Sequence, residues 1–440
     1  MISERYERNE GELLRIVSLD GEEYRSVLRD RSDLDSSEPL WKHWWYSYLR
    51  GSRPVGLGTL RGVIRIVDLF CGCGGLSLGA AEAVTSLNLI PLFKAAVDVD
   101  RDALTVYERN LGSERLLCTD VGMLVAYEIA SKRDSAAFAR EPRLLHPSLM
   151  AIEDSVDVVL AGPPCEGHSN LNNRTRRVDP RNRLVLDAVA VAVALRAKLL
   201  IVENVAEALA DRSEIFDVAC RILGNSGYRV ELRILSAEDF AVAQRRRRLF
   251  MVASTSPTWS FREVDRLKKS PPPDLRWAIG DLEDASEGFL DRPARQSLVN
   301  QRRIDYLFER DEYELPSAER PKCHRNSHTY PSVYGRLRWE EPAGTITTGF
   351  MTMGRGRFVH PSRRRTLTPH EAARLQGFPD TFVFTTRRNS PPTRSQLAKW
   401  IGDAVPPPLA YAVVLSALAP VVHQERASDA GSQTSSRIES

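Results

Sequence analysis

Residues 63–100 constrain the fold more than any other stretch of this chain. VIRIVDLF (63–70) has the length and β-branched content of a buried parallel strand. CGCGGLSLG (71–79) is a glycine-rich turn running into a helix, AAEAVTSL, and LFKAAVDVD (92–100) is a second strand ending in two acids, Asp98 and Asp100. A strand, a glycine-rich turn, a helix and a strand with a terminal acid open a doubly wound α/β fold. The expected architecture is therefore a Rossmann-like sheet with helices on both faces. The glycines let backbone approach a ligand, and the carboxylate accepts hydrogen bonds from ribose hydroxyls. The spacing is not the pyrophosphate-cradling GxGxxG, because Cys73 and the Gly74-Gly75 pair displace it. An adenosyl ligand without phosphates suits this loop better than a dinucleotide.

The strand and helix alternation continues. LLCTD (116–120) ends in Asp120, and DVVLAGPPCEGHSN (157–170) carries a strand into a Gly-Pro-Pro turn followed by Cys165. In open α/β sheets ligands bind outside the carboxyl ends of strands, so Cys165 stands where a nucleophile would. A filler thiol in a turn is the plainer reading, but it has no need of two prolines stiffening the approach. NNRTRRVDPRNR (172–183) is a basic loop, suited to phosphates or simply solvated. After the apolar helix LVLDAVAVAVALRA, KLLIVENV (198–205) places Glu203 at a strand end, where a carboxylate is costly unless paired or working. In AQRRRRLFMVAS (243–254), strand alternation puts Gln244, Arg246 and Arg248 on one face and Arg245 and Arg247 on the other.

The remainder is less regular. Residues 1–60 are polar and charged, then aromatic, with three tryptophans and two tyrosines between Trp41 and Tyr48. These rings either stack on bases or form a helical stripe docked on the main domain, and docking is the preferred reading. Residues 51–62 read as a linker, and 121–150 as helix and loop. From 256 to about 330 the alternation is lost, and 332–358 is β-like in composition. Thr368, Pro369 and Glu371 mark a helix start. GDAVPPP (402–408) turns into an apolar helix, and 424–440 reads as a disordered tail. Six cysteines without a CxxC pair suggest neither a metal site nor a disulfide framework, which fits a reducing cytoplasm. No signal peptide or membrane span is expected. A net charge of +3 does not by itself point to nucleic acid, but the arginine clusters are local.

In order and content these motifs resemble those of the cytosine-C5 methyltransferases, most of which act on DNA. DLFCGCGGLSLG resembles the first family motif. Asp98, with Asp100, resembles the ribose-binding acid, and Asp120 the residue facing the adenine amino group. GPPCEGHSN resembles the nucleophile motif, ENV (203–205) the glutamate motif, and QRRRR (244–248) the Q-x-R-x-R motif. RTLTPHEAARLQGFPD and GDAVPPPLA resemble the last two motifs. The resemblance spans about 63–420 in the unpermuted order. It departs at Glu166 for Gln, His168 for Phe, Ala243 for Pro and Asp403 for Asn.

The resemblance implies transfer of a methyl group from S-adenosylmethionine to C5 of a flipped-out cytosine in double-stranded DNA, through a covalent cysteine adduct. Cys165, Glu203, Arg246 and Arg248 would be catalytic. Phe70, Gly72, Gly74, Gly75, Asp98, Asp120, Pro163 and Asp403 would bind the cofactor. Ser169, Arg174, Arg176, Arg177 and Gln244 would meet nucleic acid. The implied organisation is an amino-terminal extension (1–60), a catalytic and cofactor-binding domain (61–255) and a target-recognition region (256–340). The rest of a smaller, irregular, β-containing domain (341–394) and a carboxyl-terminal return (395–423) would follow. A bacterial modification enzyme, with restriction or defence proteins as partners, is the expected setting. RNA methylation and a silent nucleic-acid-binding relative are the rivals. The intact Cys165, Glu203 and Arg248 speak against the second.

Overall fold

The structure is a computed structural model that describes residues 1–132, 135–164, 183–210, 214–322, 333–386 and 391–435. The chain opens with strands β1 (Ile2–Asn9), β2 (Glu12–Leu19) and β3 (Glu22–Arg29), helix α1 (Leu40–Leu49) and strand β4 (Val55–Leu57). There follow β5 (Val63–Leu69), α2 (Gly75–Ser86), β6 (Ile90–Asp98), α3 (Arg101–Leu111) and β7 (Leu116–Cys118). Two short hairpin pairings come next, β8 (Val125–Ala126) with β11 (Arg143–Leu144), and β9 (Ile129–Lys132) with β10 (Ser135–Phe138). The short helix α4 (Pro147–Met150) leads to β12 (Val158–Ala161), then α5 (Leu184–Ala194), β13 (Leu199–Val205), α6 (Ile215–Asn225), β14 (Arg229–Ser236) and β15 (Arg247–Ser254).

The central sheet has the order β14-β15-β13-β12-β5-β6-β7. Only β15 runs antiparallel to its neighbours. The order reverses between β5 and β12, so their carboxyl ends open a crevice of the kind where such sheets bind ligands. Both faces are covered. Val158 and Leu160 enter one core with α2, α3 and the last helix, while Val159 and Ala161 enter a second core with α5 and α6. Helix α5 is apolar all round and buried, as a helix between sheet and neighbour must be. The doubly wound α/β fold expected from the sequence is the fold observed.

Beyond the sheet lie α7 (Arg262–Asp265), α8 (Leu275–Ile279), α9 (Leu298–Glu309), α10 (Pro369–Leu375), α11 (Arg394–Asp403) and α12 (Pro407–Ser435). The β-like text of 332–358 yields isolated bridges such as Arg336↔Val359 and Glu314↔Gly335, and no regular strand among the described residues. The regular antiparallel pairing stands instead at the amino terminus and between β7 and β12. Helix α10 begins as its sequence dictates, with Thr368 and Glu371 closing a reciprocal capping box and Pro369 in the first turn. The most apolar 18-residue window within Arg394–Ala419 is 94% buried in the protein, as core helices are. Helix α12 continues to Ser435, through residues expected as a disordered tail.

Residues 1–29, read only as polar and charged, and Val55–Leu57, read as linker, form a four-stranded antiparallel sheet, β1-β2-β3-β4. Its two tight turns, Glu10-Gly11 and Asp20-Gly21, both have positive φ at each residue, the geometry that matches strand twist in two-residue hairpins. The aromatic stretch is helix α1, with Trp44 and Trp45 no more than 2% exposed. Trp45 meets Tyr411 of α12 edge-on, and Tyr46 meets Trp277 of α8. These rings are docked, as preferred, and are closed to bases.

Candidate active site

The carboxyl end of β5 is strained. Phe70 has φ +56°, a conformation costing an aromatic residue about 1–3 kcal/mol and tolerated only where the surroundings enforce it. Gly72 follows at φ +53°, and a side chain there would meet nothing within 4 Å. The space over the loop is open. Gly74 and Gly75 answer to a different constraint. A Cβ at Gly74 would strike Leu111 and Tyr107 of α3, and one at Gly75 the carbonyl of Val405. Both were expected to bind cofactor; close packing of α2, and at Gly74 a φ of +102°, demands glycine here whatever their backbone amides contact.

Asp98 ends β6 with its carboxylate turned to the same loop. Oδ2 accepts from the Gly72 amide at 2.8 Å and Oδ1 from the Asp100 amide at 2.8 Å. Burial pushes the carboxyl up, against those amides. Asp100, paired with Asp98 in the sequence reading, caps α3 by accepting from Asp102 and Ala103 and also receives the Trp400 indole. It is therefore a helix cap. Asp120, past the end of β7, is exposed and accepts from the Gly122 amide at 2.8 Å. Between the acids Val99 is 69% exposed, an apolar surface that sequence reasoning missed because it interrupts a polar run. Asp68 Oδ1 is buried without a hydrogen-bond partner among the described residues, and burial pushes that carboxyl up to about 8. The buried thiols Cys71 and Cys73 are pushed up by the same loss of solvation, the latter to about 12, and stay protonated.

Across the crevice, β12 ends at Ala161 and the buried Pro163 lends its carbonyl to the Asn204 amide at 3.4 Å. Cys165, Ser169, Arg174, Arg176 and Arg177 lie outside the described residues, as do the departures at Glu166 and His168. Glu203 lies two residues before the end of β13, 7% exposed, and Arg248 on β15 donates from Nε to its Oε1 at 2.9 Å. Burial raises the Glu203 carboxyl, while Arg248 and Arg246 pull it back. At Glu203 the cost of burial exceeds the pull of the two guanidiniums, so the carboxyl stays above its ordinary value.

Two expected site residues require correction. Gln244, assigned to nucleic acid, is fully buried. Its amide donates to Leu375 O and Gln376 Oε1 at 3.0 Å, and its oxygen accepts from Ile346 N at 2.8 Å. Its hydrogen-bonding groups are turned inward and it cannot reach DNA. Arg246, grouped with the catalytic residues, is 1% exposed and donates to the carbonyls of Ile346, Gly402 and Ala404. It braces the Ile346 segment against the α11–α12 turn, and its field also lowers the Glu203 carboxyl. The alternation itself holds: Gln244 and Arg246 are buried, while Arg245 and Arg247 are exposed. Asp403, at the end of α11, is half exposed and receives the Lys399 ammonium at 3.0 Å. The Gly402 beside it packs directly on Thr347 and Thr348.

The open space over Gly72 at a strained strand end, with the Asp98 carboxylate beside it, leaves room for a nucleoside. The fold is shared with solved methyltransferases. S. pombe Dnmt2 methyltransferase matches with a TM-score of 0.55 at 16% identity, over 82% of this chain and 99% of that one. Entamoeba histolytica methyltransferase EhMeth matches at 0.52 and 16%, again over 82% and 99%. The likeness establishes the fold class.

Sequence establishes the family. The model for C-5 cytosine-specific DNA methylases matches residues 64–418, and the chain belongs to that family. It is 42% identical over 357 residues to Type II methyltransferase M1.BsuMI of Bacillus subtilis (strain 168), covering 81% of this chain and 80% of the relative. Type II methyltransferase M.DdeI of Desulfomicrobium norvegicum is 27% identical, with 80% of this chain and 87% of that one covered.

Proposed function

We propose that this DNA cytosine-5 methyltransferase uses S-adenosylmethionine to methylate cytosine within a specific duplex sequence, through a covalent adduct on Cys165. The observation that carries the reading is the buried Glu203–Arg248 pair near the carboxyl end of β13, where Asn204 donates to the Pro163 carbonyl. Cytosine C5 is a poor nucleophile. Thiolate addition at C6 turns the ring into an enamine, whose C5 attacks an electrophilic carbon. The Cys165 thiolate makes that addition. Glu203, raised by burial, holds a proton toward N3, and its second oxygen accepts from the exocyclic amine. Arg248 offsets charge developing on O2. When bound, S-adenosylmethionine supplies the electrophilic methyl. Phe70, the space over Gly72, Asp98 and Asp120 would hold it, with Pro163 and Asp403 at the margin. A base then removes the C5 proton and the C6–S bond breaks, restoring Cys165. The target must leave the duplex stack to reach these groups.

Ser169, Arg174, Arg176 and Arg177 belong to the segment that would hold phosphates. Residues 256–340 would read the sequence through base edges. The named type II relatives support a bacterial modification role in the cytoplasm, with a cognate nuclease or defence protein as partner. Bisulfite sequencing of host DNA with and without expression tests substrate and site together. Conversion-resistant cytosines in one sequence context are expected. Methylation confined to RNA, or none at all, overturns the reading.

A further inference from the structure

The amino-terminal sheet and α1 lie wholly before residue 64, where the family match begins. Yet the end of α1 is tied into the far side of the molecule. The Arg50 guanidinium lies 3.3 Å over the Tyr46 ring and donates to the Trp277 carbonyl at 3.2 Å and to Asp281 Oδ1. Asp281 is shared, since Arg374 of α10 reaches its two oxygens at 3.3 and 3.2 Å. Arg374, 2% exposed, also grips Asp380 with two nitrogens and donates to Ala278 O. His370 stands between Asp380 at 2.9 Å and Asp291 at 2.7 Å. Backbone joins in where Asp380 N donates to Leu49 O at 2.8 Å, and the Trp277 indole donates to Lys42 O at 3.3 Å. Charges of alternating sign thus run Arg50, Asp281, Arg374, Asp380, His370, Asp291. They connect α1 to α8, to α10 and to the 288–291 segment that leads into α9.

We infer that the amino-terminal module is a splint that seats the recognition region on the catalytic sheet, with Arg50 as its positioning residue. Arg50 is suited to the task because its partners come from α8 and the turn after it, where the recognition region begins. The chain is also dispensable to folding at this one link. Without Arg50, Asp281 keeps Arg374, so no carboxylate is left unpaired; only the tie across the two parts is lost. Loosening α8 shifts the frame on which base-reading residues stand. The Asp98 and Gly72 loop shares none of the hydrogen bonds of this network.

The test uses the full chain carrying Arg50→Leu, Asp281→Asn, both together, or Arg50→Lys. Its first readout, amide hydrogen exchange, is independent of methylation. Arg50→Leu should raise exchange across 275–282 and at Asp380 about tenfold. Protection over 72–79 and the affinity for S-adenosylhomocysteine should not change. The second readout rests on the function proposed above. Discrimination between the duplex site mapped in the host and a single-mismatch duplex should fall about fivefold or more in Arg50→Leu. In the double variant the two single losses should combine less than additively, because both break the same Arg50–Asp281 link, and Arg50→Lys should recover part of it. Unchanged exchange over 275–282 overturns the splint. Equal loosening over 72–79 with loss of cofactor affinity overturns it too, in favour of general destabilisation. Loosening with intact discrimination overturns the role in site selection. If the wild-type chain methylates no DNA, the functional reading fails and the exchange arm alone decides whether the splint exists.

Discussion

Glu203 and Arg248 are held by backbone pairing as much as by each other. In the register of β13 with β15, Val205 faces Arg248 and Glu203 faces Phe250, so the arginine starts two residue pairs beyond the glutamate and reaches back to it. Glu203→Gln keeps the volume but cannot hold an acidic proton toward N3. Methylation should fall about a hundredfold or more in single-turnover assays, with S-adenosylhomocysteine affinity unchanged. An undiminished rate would remove Glu203 from the chemistry. Gln244 makes the opposite case. Gln244→Leu should lower stability by about 1–3 kcal/mol, because it strands the Ile346 amide and the Leu375 carbonyl. DNA affinity of the folded fraction should not change, and a denaturant midpoint beside a binding isotherm checks both. The sequence carried Glu203 plainly, since an acid ending an apolar strand has few structural excuses. It could not separate Gln244 and Arg246 from Arg248. Strand alternation assigns all three to one face, and only the tertiary partners at 346, 376 and 402–404 show which are buried braces.

Helix α10 is the element most sensitive to acid. Its Glu371 is buried and engaged by His360 and by both Arg365 terminal nitrogens at 2.7 Å. Burial alone would raise this carboxyl, but His360 and Arg365 hold it down to about 2, from an ordinary 4.5. The folded value lies below the unfolded one, so the stability it contributes is fully present above about pH 4.5. That contribution is lost as pH falls through 2, and amounts to roughly 3 kcal/mol. Glu371→Gln keeps the capping geometry and should flatten the stability profile between pH 4.5 and 2. An identical acid limb in wild type and variant would contradict this. At this scale the strands and the α10 cap were legible because local chemistry decides them. The amino-terminal sheet was not, although Asp20-Gly21 between alternating residues was a usable hairpin signal. Its strands carry so much charge on the open face that composition masks the period of two. The β-like residues after 332 failed for the reverse reason, since their partners are single bridges from distant parts of the chain.

Across the whole molecule, the proposed recognition region (256–340) is fastened near its start and just after its end. Asp281 and Trp277 fasten its start to α1, and Ile346 and Thr347–Thr348 fasten the segment after it to Arg246 and Gly402. Exchanging residues 256–340 for the matching stretch of a relative should therefore move the methylated sequence, provided Trp277, Asp281 and the 343–349 segment are kept. An active chimaera with unchanged site choice would place recognition elsewhere. The central claim is that Cys165 is the nucleophile, and a duplex with 5-fluorocytosine at the mapped target tests it most directly. Fluorine cannot leave C5 as a proton does, so the adduct is trapped. The account predicts a covalent protein–DNA complex on a denaturing gel that requires S-adenosylmethionine and is absent in Cys165→Ala. At saturating cofactor it should persist in Cys71→Ala and Cys73→Ala, whose buried thiols stay protonated. A complex formed by Cys165→Ala, or methylation by that variant, would contradict it.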